Sequence, residues 1–171
     1  PVNTDKLVSW VFDYNSFVPA AKIVDGNTYS IACDHLGTPV QAYNQTGEKV
    51  WDCTLDIYGK IKTLEGDKCF IPFRYQGQYE DEETGLYYNR FRYYSPDTGT
   101  YISQDPIGLS GGNKLYSYTN DVNQFIDPLG LSKYNPTEVL GRKIYQNNTD
   151  FVTGKPDFVD KSVHPSIKAK N

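Results

Sequence analysis

Tyr43-Asn44-Gln45-Thr46-Gly47-Glu48-Lys49-Val50-Trp51-Asp52 is the stretch that decides the fold. An aromatic residue ends one extended run, an Asn-x-x-Gly turn reverses the chain, and a second alternating run follows. The Asn side chain bonds its own backbone in such a turn, and Gly supplies the positive φ that a tight reversal requires. Outward in both directions the same unit returns. It stands in Asp34-His35-Leu36-Gly37-Thr38-Pro39-Val40, in Leu55-Asp56-Ile57-Tyr58-Gly59-Lys60-Ile61, and in Tyr94-Ser95-Pro96-Asp97-Thr98-Gly99-Thr100-Tyr101. From Trp10 to Tyr101 the turns recur roughly every ten to fourteen residues, the spacing of consecutive hairpins. A degenerate repeat of hairpins predicts an all-β chain whose antiparallel strands form a solenoid-like or spiralling sheet. Gly37, Gly47, Gly59, Gly85 and Gly99 are expected at turns, most of them with positive φ. Repeat units bury their faces only against neighbours, so further repeats upstream are expected partners.

Composition points the same way. Aromatics are 15% of the 171 residues, with 15 Tyr, 8 Phe and 2 Trp, while only 38% of the chain is hydrophobic. A helical bundle or coiled coil would be rich in Ala, Leu, Glu and Lys instead. No apolar run approaches the roughly 18 residues of a membrane helix. So aromatic a chain buries enough surface to fold, which excludes disorder for its main part. With no methionine and Pro1 first, the chain is expected to be a processed product or a piece of a longer one. Cys33, Cys53 and Cys69 form no Cys-x-x-Cys pair, so they predict small buried hydrophobes on strands, or else one disulfide and a free thiol, rather than a zinc site. The net charge of −4 hides a split. Residues 132–171 carry seven basic and four acidic side chains, a net +3, which leaves −7 on the first 131 residues. Of the 25 aromatics, 21 lie before residue 132, so a boundary is expected there.

The stretch from Phe73-Arg74-Tyr75-Gln76-Gly77-Gln78-Tyr79 through Glu83-Thr84-Gly85-Leu86-Tyr87-Tyr88-Asn89-Arg90-Phe91-Arg92-Tyr93-Tyr94 is followed by Gly99-Thr100-Tyr101-Ile102-Ser103-Gln104-Asp105-Pro106-Ile107-Gly108-Leu109. The run closes on Asp127-Pro128-Leu129-Gly130-Leu131. Over residues 30–131 this order of motifs resembles the core-associated end of the Rhs/YD-repeat family of polymorphic toxins. The resemblance implies a hollow β-cocoon that encloses a toxin, a plug segment, and release of the toxin by self-cleavage after the last Asp-Pro-x-Gly-Leu. It implies three regions here: YD-repeat sheet over 1–101, a small irregular autoproteolytic plug over 102–131, and the start of a variable toxin region over 132–171. The scissile bond would be Leu131–Ser132, where the charge split already sets a boundary. Secretion or display at the bacterial surface, a secretion-system spike or chaperone, and an immunity protein are implied in the same way.

The chemistry rests on Asp105 and Asp127, each heading an Asp-Pro-hydrophobe-Gly-Leu pentapeptide. Two carboxylates held close share a proton, so one can act as general base while the other polarises a carbonyl. Asp-Pro-x-Gly is equally a good turn, with Pro fixing φ and Gly entering the left-handed region. From the residues alone the turn is the better reading; the resemblance favours the aspartyl pair, a protease of a single turnover. Arg90 and Arg92 are the candidate electrostatic helpers, or else salt-bridge partners, and Gln104 stands where family members often carry Arg. The Tyr-rich stretch from 75 to 101 predicts cross-strand packing, because the acidic run Glu80 to Glu83 would repel phosphate. His35 lies in a repeat turn and His164 far from it, without metal-ligand spacing, so no metal is expected. No phosphate-binding loop or nucleophile elbow appears, and no cofactor is expected. Val139 to Asn148 looks like the opening of certain HNH-type nuclease tips, but 40 residues with one His hold no nuclease site. The tail reads as a truncated toxin start, with nucleic acid only as a toxin's target. The alternative function is a non-catalytic adhesion module whose β-repeats bind carbohydrate or a partner protein.

Overall fold

The structure, a computed structural model, describes residues 7–111 and 113–131. The expectations for the tail, including Ser132 and His164, lie outside the described residues. Ten strands follow one another in chain order. The first six are β1 (Val8–Phe12), β2 (Pro19–Val24), β3 (Asn27–Cys33), β4 (Pro39–Tyr43), β5 (Lys49–Leu55) and β6 (Ile61–Glu65), and they form one antiparallel sheet in sequence order. A second antiparallel sheet orders β10 (Thr100–Tyr101), β9 (Arg92–Ser95), β8 (Tyr87–Asn89) and β7 (Tyr79–Glu80). The only helical pieces among the described residues are short 3-10 turns at Lys68–Phe70 and Gly108–Gly111. The chain is all-β, as its turn spacing predicts.

The repeated turn has one chemistry. The Oδ1 of Asp34 accepts from the backbone N–H groups of Leu36 and Thr38, both at 2.9 Å. Asn44 does the same for Thr46 and Glu48, and Asp56 for Tyr58 and Lys60. One short side chain thereby satisfies two backbone donors that the reversal takes out of the ladder. Gly37, Gly47, Gly59, Gly85 and Gly99 all have φ between +71° and +82°, as expected. Just before each of the three Asx turns the ladder slips by a residue, at Ala32/Cys33, Ala42/Tyr43 and Thr54/Leu55. A bulge at each hairpin adds right-handed twist, which makes a repeating sheet spiral rather than lie flat.

Two clusters form the core. Ala42, Trp51, Cys53, Ile71 and Phe73 pack beneath the first sheet, with Trp10 and Phe12 set edge-on against Phe73. Tyr75, Tyr87, Tyr94, Tyr101 and Tyr118 make the second, in which the rings of Tyr87 and Tyr94 pair across β8 and β9. Three of these phenols reach the turn between β5 and β6. Tyr75, Tyr87 and Tyr94 donate to the carbonyls of Asp56, Gly59 and Tyr58 at 3.1, 3.0 and 2.8 Å. A Phe would fill the same volume but take a donor away from each of those carbonyls, which accounts for Tyr here. Glu80 leaves the acidic run to pair with the buried Arg74 and with Lys68.

The cysteines depart from expectation. Cys53 is buried on β5, Cys33 is half-buried on β3, and Cys69 is exposed in a 3-10 turn; all three are free thiols. Burial pushes the Cys33 thiol up to about 12. After β10 the chain loses regular structure. It is pinned to the second sheet by the bond from Tyr101 N to Tyr116 O, and it buries Tyr118, Ile126, Pro128, Leu129 and Leu131.

Candidate functional site

The second sheet and the irregular segment meet around Arg92. In the β8–β9 hairpin Asn89 pairs with Arg92, and Arg90 and Phe91 form the turn between them. Asn89 and Arg92 therefore share a face, and both are buried. Arg90 instead adopts φ +58° in the turn and sets its guanidinium over the ring of Phe17, 5.8 Å from its centre. Of the two arginines singled out in the sequence, only Arg92 is brought to the aspartates.

Arg92 spends its whole guanidinium there. Nε donates to Gly130 O at 2.5 Å and Nη1 to Leu115 O at 3.0 Å. Nη2 meets Oδ2 of Asp105 at 3.0 Å and Oδ2 of Asp127 at 3.3 Å. One nitrogen thus bridges carboxylates that stand 22 residues apart in the chain. The Cζ of the group lies over the Tyr101 ring, 3.6 Å from its centre. A fixed fork of donors over an aromatic face is a task for Arg, which Lys cannot perform. Its positive charge offsets the repulsion between two buried carboxylates. The two carboxyl groups are therefore joined through Arg92.

Both aspartates are also turn residues. Oδ1 of Asp127 accepts from Leu131 N at 3.0 Å, and Oδ1 of Asp105 accepts from Ile107 N at 3.0 Å. Gly130 and Gly108 close the two turns with φ +71° and +58°. This is the chemistry of the repeat turns, with one oxygen spent on the backbone and the second turned inward to Arg92. Asp127 is fully buried and Asp105 is 9% exposed. Gly130 is required for a further reason: a Cβ there would stand 2.5 Å from Asn89 O.

Two residues that the sequence reading passed over complete the cluster. The Tyr101 hydroxyl donates to Asp127 Oδ2 at 2.9 Å. Asn89 Nδ2 donates to that hydroxyl at 2.6 Å and to Asp127 O at 2.9 Å. Burial and the neighbouring Asp127 push the Tyr101 phenol well above its ordinary value, so it remains a donor. The available signal was Asn89 itself, a poor strand former amid aromatics. His35 lies outside the cluster, where its Nε2 meets Asn123 O at 3.0 Å and ties a repeat turn to the irregular segment. Among the described residues no group of three or more His, Cys, Asp or Glu is placed to hold a metal.

The model of the teneurin YD-shell family matches residues 2–126. The chain belongs to the YD-shell family. Within it the chain is similar to the toxin protein Tse5 of Pseudomonas aeruginosa, 48% identical over 99 residues, which cover 57% of this chain and 7% of that protein. It is also similar to the double-stranded DNA deaminase toxin A of Burkholderia cenocepacia, 36% identical over 135 residues, covering 77% of this chain and 9% of the relative. In structure this YD-shell chain resembles TcdB2-TccC3 without its hypervariable C-terminal region, with a TM-score of 0.64 at 24% identity, over 72% of this chain and 6% of that one. That likeness concerns the fold. The YD-shell chain spans less than a tenth of the length of each of these three proteins. Its relatives place it among the Rhs/YD-repeat polymorphic toxins, as a shell-associated piece.

Proposed function

We propose that this chain is the last part of a YD-repeat shell that encloses a toxin, and that it frees the toxin by cutting itself between Leu131 and Ser132. Residues 1–101 serve as shell and 102–131 as the plug that carries the protease. The observation that carries the reading is Arg92, which gathers Asp105 and Asp127 while the second of them holds the backbone N–H of Leu131. Asp127 thereby sits at the residue whose carbonyl would be attacked, and Asp105 is joined to it through Arg92. One carboxyl group, ionised, takes a proton from water as general base, and the other, protonated at the start, gives its proton to the leaving amine of Ser132; exchange of one proton restores the pair. Arg92 keeps both in place and orders the last turn through Gly130 O. No residue forms a covalent intermediate, and each chain cuts once.

Relatives named as toxins support export to the outside of a bacterial cell, with the upstream repeats as the first partner and an immunity protein guarding the producer. No helix among the described residues is long and apolar enough to cross a membrane. The test is to incubate the purified chain and measure its mass. Fragments of 131 and 40 residues support self-cleavage. An intact chain with bound glycan or protein would favour an adhesion module.

A further inference from the structure

The environment of Asp127 holds more than the bridge to Arg92. Its Oδ2 faces the Tyr101 hydroxyl as well as the guanidinium, and that hydroxyl is seated by Asn89. The orientation of the Asn89 amide is fixed by its second bond, since Asp127 O can only accept and the atom 2.9 Å from it must be Nδ2. Its Oδ1 then lies buried with no hydrogen-bond partner among the described residues. The Nδ2 hydrogens, by contrast, leave the Tyr101 hydroxyl no accepting role except toward Asn89. Its own hydrogen therefore points at Asp127.

Resting on the self-cleavage reading above, we propose that Tyr101, oriented by Asn89, is a positioning residue for Asp127. The hydroxyl turns Asp127 Oδ2 toward Arg92 and holds the group as the carboxylate that accepts the proton. Asp105 has no such phenol among its hydrogen bonds and retains slight exposure, so it serves as the partner that exchanges protons with water. Among the described residues, the charged and titratable groups facing Asp127 are Arg92 from β9, Tyr101 from β10, and Asp105 and Tyr118 from the irregular segment. From β8 comes only the neutral Asn89.

Tyr101→Phe in the full chain keeps the ring beneath Arg92 and removes one hydroxyl. Self-cleavage should slow at least tenfold at neutral pH, and the acid limb of its pH profile should move to higher pH. The sign follows because a carboxylate that loses a donor holds its proton up to a higher pH. A rate and profile equal to those of the unaltered chain would overturn the proposal. Should the variant fail to fold, 3-fluorotyrosine placed at position 101 gives a more acidic phenol and a stronger donor. It must then move the acid limb to lower pH; an unmoved limb overturns the proposal. The unaltered chain and Asp127→Asn run beside both. If the unaltered chain stays whole, self-cleavage itself is refuted, and carbon-13 NMR of the Asp127 carboxyl group decides the role of Tyr101 separately. An upward move of that titration in Tyr101→Phe sustains the positioning role, and no move ends it.

Discussion

Asp34, Asp56, Asp105 and Asp127 perform one piece of backbone chemistry, each with Oδ1 on a following N–H group. What separates the last two is the use of the second oxygen, which Arg92 claims in both. This distinction suggests a controlled comparison. Asn retains the accepting oxygen of the turn but carries no proton, so Asp34→Asn should leave self-cleavage unchanged. Asp105→Asn and Asp127→Asn should each abolish it with the fold intact, as read by mass and circular dichroism. Normal cutting by either variant removes that aspartate from the mechanism. Arg92 answers to a different measurement. Replacing it by Met leaves two buried carboxylates facing each other, and breaking a buried ion pair from one side costs about 3–5 kcal/mol. Urea denaturation should show a loss of that order, whereas a change within 1 kcal/mol, roughly the value of an exposed pair, would mean that the site is wetter than its burial indicates.

At the level of the element, the Asx turn was readable from sequence because its requirements are local. An Asp or Asn, a Gly three residues on and extended flanks predict the reversal without knowledge of what packs on it. What packs on it was not readable. Gly47 and Gly59 look alike in sequence and have φ of +82° and +79°, yet their surroundings differ. A Cβ at Gly47 meets nothing within 4 Å, whereas one at Gly59 stands 2.9 Å from Tyr75 Cε2. Gly47→Ala should therefore cost only the backbone penalty, about 1–2 kcal/mol. Gly59→Ala adds displacement of the Tyr75 ring and strain on its bond to Asp56 O. Thermal melts of the two variants should rank them in that order. Equal losses would mean that the second sheet does not rest on the β5–β6 turn. The site was half legible for a related reason. Asp105 and Asp127 announce themselves by repetition, but the choice of Arg92 over Arg90 depends on a two-residue turn that diverts Arg90 and aligns Arg92 with Asn89.

Across the whole molecule, the five buried tyrosines of the second cluster take on a single meaning. In sequence they read as strand formers that pair across a sheet, and Tyr87 with Tyr94 bears this out. Their hydroxyls carry the rest of the architecture, because they tie this cluster to the β5–β6 turn of the first sheet at three carbonyls and to Asp127 at a fourth contact. Such long-range bonds leave no trace in local pattern, since Tyr and Phe satisfy the same periodicity. They do leave a trace in titration. Burial pushes Tyr75 and Tyr87 up to about 12, and Tyr94, Tyr101 and Tyr118 are raised further. In the unfolded chain each phenol titrates near its free value, about 10. A group whose value is raised on folding contributes stability that is complete below the unfolded value and falls as the pH climbs beyond it. Five phenols act together here, so stability should be insensitive to these groups below about pH 10 and decline steeply above it. Phenolate absorbance and circular dichroism, followed together through an alkaline titration, provide the measurement. The buried fraction of phenolate should appear only as the sheet signal is lost. Smooth ionisation of all tyrosines with the sheet intact would mean that water reaches the second cluster, and that the contact between the two sheets is looser than its hydrogen bonds require.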